Sequence, residues 1–207
     1  MSIVTLNDRA VRSVTTFGSV NAGSMVFIKK LTASSSGTLS FVDGSSDVVL
    51  DNTYKEYLFT FKDIHPSHAS TRFQFNGSTD SGSNYNVTKT TTIFIAGHIE
   101  ADSDATLTYQ SGDDLAQSTA FQDLAAYGDS DNANDSCLAG YLHIFNPSST
   151  TFVKHFIART NYVANSYYSV DSYTAGYFNT TSAIDAIQFK FTSNNIDAGD
   201  ICLYGIL

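Results

Sequence analysis

The sequence predicts an all-β protein: an antiparallel β-sandwich of the jelly-roll type, with an N-terminal arm. Three observations carry this expectation. Apolar side chains recur with a period of two along most of the chain. Clusters of Gly, Ser, Asn and Asp break the pattern at intervals of roughly 10–15 residues, the punctuation of short strands. Polarity comes from hydroxyls and amides, with 27 Ser, 23 Thr and 14 Asn, while charged residues make up only 15%, below the usual figure of about 25%.

The elements follow in order. Residues 1–20 show no clear period, and residues 1–23 are expected to form the arm. Arg9, Arg12, Lys29 and Lys30 stand against Asp8 alone in the first thirty residues. With Phe17, these four cations are the candidate attachment residues. Met25–Leu31 is the first alternating run and Leu39-Ser-Phe41 the second. In Tyr57-Leu-Phe59-Thr-Phe61, the rings share one face and Thr60 takes the other. Phe73-Gln-Phe75, Ile93-Phe-Ile95, Leu142-His-Ile144, Phe152–Ile157, Ile187-Gln-Phe189-Lys-Phe191 and Ile201–Ile206 continue the alternation. About eight to ten strands fit, which favours a jelly roll over an immunoglobulin sandwich; the latter also wants a buried Trp that this chain lacks. The one stretch with helical character is Asp114–Ala126. The domain division is therefore 1–23 for the arm and 24–207 for the sandwich.

Charge excludes several functions. The net charge is −9, and phosphate neutralisation needs clustered Lys and Arg, so no nucleic-acid partner is expected. No apolar run approaches the length of a membrane span, and the opening residues lack a basic region followed by an apolar one, so neither membrane insertion nor a secretory leader is expected. Cys137 and Cys202, 65 residues apart, make no zinc motif. Two buried free thiols are the expectation, with a single disulfide as the alternative.

The chain is polarised: residues 1–72 sum to +1, residues 73–207 to −10, and Glu100–Asp135 holds nine acids and no base. Solvated loops are the plain reading. Asp129, Asp131 and Asp135 are weak candidates for a calcium site, although the spacing fails the EF-hand pattern. His65 with His68, and His98 with Glu100, are the densest ligand-capable pairs. His143 and His155 read as satisfied, half-buried strand histidines. No Gly-x-Ser-x-Gly elbow and no phosphate-cradling loop occurs. No catalytic residue and no cofactor is therefore assigned. Tyr162, Tyr167, Tyr168, Tyr173 and Tyr177 crowd sixteen residues that hold one charge, Asp171. They are the candidate recognition or subunit-contact surface.

Longer motifs carry a resemblance. Phe27-Ile-Lys-Lys-Leu-Thr-Ala-Ser-Ser-Ser-Gly, Phe41-Val-Asp-Gly, Asp63-Ile-His-Pro66, Gly77-Ser-Thr-Asp-Ser-Gly-Ser-Asn-Tyr85, Gly140–Phe156, Gly176–Ile184 and the terminal Leu203-Tyr-Gly-Ile206 resemble a family of virion-associated proteins of marine tailed bacteriophages, including cyanophages. The likeness covers nearly the whole chain and is weakest at 122–136 and 158–172. The terminal strand is also similar to the jelly-roll tips of phage fibres. The resemblance implies a non-enzymatic virion protein, assembled in the host cytoplasm and exposed on the particle. Other virion proteins of capsid or tail would be its partners, and its assembly would be a homotrimer. It would sit by its arm and present 100–136 and 158–174 outward. Capsid decoration and a tail or fibre seat both remain open, as does recognition of a host surface glycan. A glycan-cleaving enzyme would need two carboxylates about 5–9.5 Å apart in a cleft.

Overall fold

The computed structural model describes residues 24–207. The arm, with Arg9, Arg12 and Phe17, lies outside the described residues. Those described form twelve strands and no helix. They are β1 (Met25–Thr32), β2 (Leu39–Val42), β3 (Glu56–Pro66), β4 (Phe73–Ser78), β5 (Lys89–Ile99), β6 (Ala105–Tyr109), β7 (Gln122–Asp123), β8 (Leu138–Phe145), β9 (Lys154–Val163), β10 (Tyr168–Phe178), β11 (Ala186–Phe191) and β12 (Ile196–Ile206). All neighbours pair antiparallel. An eight-stranded sheet runs β1-β12-β3-β8-β9-β10-β5-β6, and a four-stranded sheet runs β2-β11-β4-β7. The all-β sandwich expected from the period of two is what forms.

The inward faces meet in a cluster of phenylalanine rings. Phe189 on β11 lies 5.4 Å from Phe59, 5.2 Å from Phe61, 5.8 Å from Phe73, 6.3 Å from Phe41 and 6.5 Å from Phe75, centroid to centroid. Phe59 and Phe61 belong to the large sheet, the other four to the small one, so this single ring is where the layers join. Edge-to-face approaches dominate, the arrangement that the ring quadrupole favours. The terminal Leu203-Tyr-Gly-Ile motif has a packing reason. Leu203 is buried, Tyr204 turns outward onto Phe27 at 5.7 Å, and a Cβ on Gly205 would stand 2.3 Å from the Tyr54 ring.

Several sequence expectations are corrected. Asp114–Ala126 is not a helix. Thr91 N–H donates to the Leu115 carbonyl, Lys89 and Ser118 exchange both backbone bonds, and Gln122–Asp123 pairs with β4. These partners outside the segment replace the i→i−4 bonds of a helix. The extra strands beyond eight to ten come from β6, β7 and the full length of β10, whose Thr, Ser and Gly content hides the alternation. Lys29 and Lys30 are residues of β1 rather than of an arm, and Lys30 pairs with Asp200 at 3.2 Å. A bulge between Phe27 and Lys29 shifts the register of β1 on β12; it buries Ile28 and leaves Phe27 exposed. The cysteines are free but not buried. Cys137 is exposed and Cys202 intermediate, because Cys202 has the outward parity on β12. Partial burial and then Asp63 push the Cys137 thiol above its ordinary value. In β9 it is Lys154 that points inward, while His155 is exposed.

Lys154 and Lys89 both pair with Phe178, one from each side, and both are fully buried. Neither meets a carboxylate. Lys89 Nζ donates to Asn76 Oδ1 at 2.6 Å and to the Val87 carbonyl at 3.0 Å; Lys154 Nζ donates to the carbonyls of Thr180 and Ser182 at 3.0 and 2.6 Å. Burial without a counter-charge pulls the Lys89 pKa down to about 7.

Two predictions follow from this core. Phe59→Ala or Phe189→Ala should each cost about 3–5 kcal/mol in denaturant unfolding; a cost under about 1 kcal/mol would remove Phe189 from the junction. For Lys89, the folded pKa lies below the unfolded one, so the unfolded state binds more protons from pH 7 upward and stability rises with pH there. One such group gives a slope of about 1.4 kcal/mol per pH unit. Between about pH 7.5 and 8.5, below the ordinary tyrosine range, unfolding free energy should rise with that slope, and Lys89→Met should flatten it.

Candidate functional site

Strand parity decides what the large sheet shows to solvent. With Tyr57, Phe59 and Phe61 inward on β3, register places Tyr141, His143 and Phe145 of β8 outward. Next to them outward stand His155, Ile157, Arg159 and Asn161 of β9, then Asp171, Tyr173 and Tyr177 of β10, then Phe94 of β5 and Leu107 and Tyr109 of β6. One row crosses five strands as Tyr141–Arg159–Tyr173–Phe94–Tyr109, each residue directly opposite the next.

The middle of that row is a stack. The Phe94 and Tyr173 rings are parallel within 3° at 4.7 Å, and the Arg159 guanidinium lies over Tyr173, 4.8 Å from its centroid. Both spacings match the distance between neighbouring strands, about 4.7–4.9 Å. The side chains therefore stand upright from the sheet like books on a shelf and present their edges to solvent. Asp171 locks the shelf: Arg159 Nε and Nη2 donate to its two oxygens at 3.0 and 2.6 Å, and the Tyr173 hydroxyl donates to Oδ2 at 3.1 Å. The fork of donors from Arg159 holds the Asp171 carboxyl below its ordinary pKa.

Two shallow depressions flank the stack. One, of about 380 Å³, lies among Ala139, Gly140, Tyr141, Arg159, Asn161 and Asp171. The other, of about 440 Å³, is floored by Ala175 and Gly176 and bordered by Phe145, His155, Ile157 and Tyr177. Small residues at the floor and large ones at the rim make the relief of this face.

The five candidate tyrosines part company. Tyr173 and Tyr177 are on the outer face. Tyr162 is 1% exposed and faces the core, where its hydroxyl donates to the Tyr127 carbonyl at 2.7 Å and accepts from Tyr127 N–H at 2.8 Å. It anchors the covering chain 124–130 and recognises nothing outside. Tyr168 is also inward, its hydroxyl donating to Asp104 at 2.5 Å, a bond that raises its pKa to about 12. Tyr167 is exposed at the β9–β10 turn, in the left-handed region at φ 61°. Positions 168 and 173 have opposite parity on one strand, so they never share a face. The sequence reading missed Phe94, Tyr141, Arg159 and Tyr109. Phe94 had a signal: it sits between Ile93 and Ile95, which take the inward parity.

The acidic segment has a different purpose from ion binding. Arg72 reaches into it from the start of β4. Its Nη1 donates to Asp113 at 2.5 Å and Asp123 at 3.2 Å, and its Nε to Asp129 at 3.0 Å. Asp123 also accepts from Gln74 at 2.5 Å. The chain that carries these acids folds over the inner side of β5, β9 and β10 and buries Leu124, Ala125 and Ala126 there. Residues 122–130 are therefore a cover, while 100–105 and 132–135 are exposed as solvated loops, and 158–174 is the β9–β10 hairpin. Asp129 is committed to Arg72, Asp131 caps the Asn132 N–H at 2.7 Å, and Asp135 is exposed. Among the described residues no group of three His, Cys, Asp or Glu side chains is placed to hold a metal ion. His65 Nε2 is 3.2 Å from the Ala133 carbonyl and His98 Nε2 3.2 Å from Asp102, while His143 Nε2 lies 3.0 Å from a Glu56 oxygen without the geometry of a hydrogen bond.

Comparison with protein-family models, with curated proteins and with solved structures gives no match for this chain.

Arg72→Leu should cost about 3–5 kcal/mol, because it leaves three carboxylates facing one another with no cation. Denaturant unfolding measures this; a cost below about 1 kcal/mol would show that the cover holds without its clamp.

Proposed function

We propose that this chain is a non-enzymatic structural protein of a tailed-bacteriophage particle, displayed on the particle surface as a jelly roll, seated by residues 1–23 and assembled as a homotrimer. The sequence resemblance carries the reading. The fold supports the jelly-roll part of it: β1, β3, β8 and β12 lie together in the large sheet, β2, β4, β7 and β11 in the small one. The chain thus passes back and forth between layers, as two intertwined Greek keys require. The hairpins β5–β6 and β9–β10 are additions that widen only the large sheet. A surface held together by hydroxyls, amides and internally paired charges suits a particle coat, where solubility must not depend on a dense field of charge.

A glycan-recognition role would draw on the polar depression beside Arg159, Asp171 and Asn161. Sugars stack on open ring faces, however, and the Tyr173 faces are covered by Phe94 and Arg159. The geometry therefore favours a structural contact over a sugar site.

Symmetry-averaged cryo-electron microscopy of the intact particle, with gold-labelled antibody to the chain, tests the proposal. Density repeating over the head lattice is expected for a decoration protein, and density confined to the tail for an appendage. Absence of the chain from purified particles would overturn the proposal.

A further inference from the structure

We infer that the outer face of the eight-stranded sheet is buried against a second copy of this chain. Among the described residues, ten large hydrophobic side chains are substantially exposed. Seven of them, Met25, Phe27, Phe94, Leu107, Tyr109, Tyr141 and Ile157, share this one face. The outer strands of the small sheet carry none. Scattered exposed apolar groups are normal on a monomer, whereas their collection on one side marks a contact surface.

Charge selects the occupant. The strands of this sheet carry four cations that are not buried, Lys29, Lys30, Lys62 and Arg159, and five anions, Glu56, Asp63, Asp171, Asp197 and Asp200. They nearly balance, and Lys30–Asp200, Lys62–Asp63 and Arg159–Asp171 are paired with one another. Most of the −9 of the chain therefore lies elsewhere. A basic partner would be drawn to that acidic remainder. A second copy, equally acidic overall, meets little repulsion on a face whose charges nearly balance. Size agrees: eight strands at about 4.8 Å and about ten residues at 3.3 Å each give a face on the order of 1,000 Å², above the roughly 800 Å² per partner of a standard stable interface. The upright edges of Tyr141, Tyr173 and Phe94 and the hollows over Ala175 and Ala139 supply alternating ridges and gaps into which a like surface interdigitates.

A face that meets its own like makes a two-fold contact, which is separate from the three-fold contact of the proposed homotrimer and needs no particle for its test. Full-length protein at tens of micromolar is measured by sedimentation velocity and light scattering, beside Ile157→Glu, Tyr141→Glu and, as a control away from the face, Phe152→Glu. The expected result is a wild-type mass of two chains, or another even number of chains, of 22.4 kDa each. Ile157→Glu and Tyr141→Glu should weaken association at least about thirtyfold, with Phe152→Glu unchanged. Because side chains at 141 and 157 point to solvent, the variants should keep their thermal melt and circular dichroism as dilute monomers. If Ile157→Glu fails to fold, Ile157→Ser and lysine-free footprinting of Tyr141 and Tyr173 by a tyrosine-selective reagent give the same answer. A monomeric wild type, or face variants that associate as the wild type does, overturns the inference. Either result stands whether or not imaging finds the chain on a particle.

Discussion

The junction at Phe189 sets the terms for the rest of the molecule. One ring in the middle strand of the small sheet touches rings from both layers, so it fixes which parity of β3 and β11 is inward. Antiparallel register then carries that parity from strand to strand. A one-residue slip at any strand would invert its faces and send Lys62 or Gln188 into the cluster. The inward set is costly to alter, and the outward set is what remains after it is chosen. The aromatic face of the large sheet is thus not an accident of poor burial. Positions 94, 141, 159 and 173 had no inward option once 59, 61, 142, 156 and 189 were committed.

The core tolerates two lysines because the sandwich is wider on one side than the other. The four-stranded sheet does not reach far enough to cap β5, β9 and β10, and carbonyl-rich chain from 115–126 and 178–184 fills the space. Lys89 and Lys154 satisfy that lining: each ammonium finds carbonyl or amide oxygens that no strand partner takes. The arrangement satisfies hydrogen bonds and leaves charge unopposed, which is why the stability of this region is tied to pH rather than to salt. The Arg72 cluster, at the other end of the same covering chain, solves the converse problem. There carboxylates outnumber the cation by three to one, and burial raises the pKa of Asp123 in spite of Arg72.

Much of this was legible in the residues. Tyr57-Leu-Phe59-Thr-Phe61 and Ile187-Gln-Phe189-Lys-Phe191 announce their strands and their faces, because each pairs apolar period with β-forming side chains. Asp114–Ala126 misled, since helix-like spacing of Leu115, Phe121 and Leu124 is a weak local signal and Arg72, Thr91 and Lys89 overrode it from elsewhere in the chain. The tyrosine-rich stretch was half legible. Its composition pointed to contact, yet counting tyrosines along the chain ignored parity, and Tyr162 and Tyr168 turned inward to hold the cover. The bulge after Phe27 left no trace in sequence, because it depends on how β1 meets β12.

The stack at Arg159, Tyr173 and Phe94 bears on what kind of contact this face can make. Direct cross-strand neighbours at strand spacing force planar groups to stand upright, so their faces satisfy one another and only edges remain. Edges carry the positive rim of the ring quadrupole and, at Tyr173, a hydroxyl already donated to Asp171. A flexible sugar finds no open plane on Tyr173, whose two faces are taken by Phe94 and Arg159. A rigid protein face gains more. It meets a corrugation that is ordered before contact, with Arg159 fixed by a bidentate carboxylate and two rings fixed by each other, so little side-chain entropy is lost on docking. Rigidity, neutrality and relief all arise from the same cross-strand row, and together they favour a partner with matching relief and no charge of its own to bring.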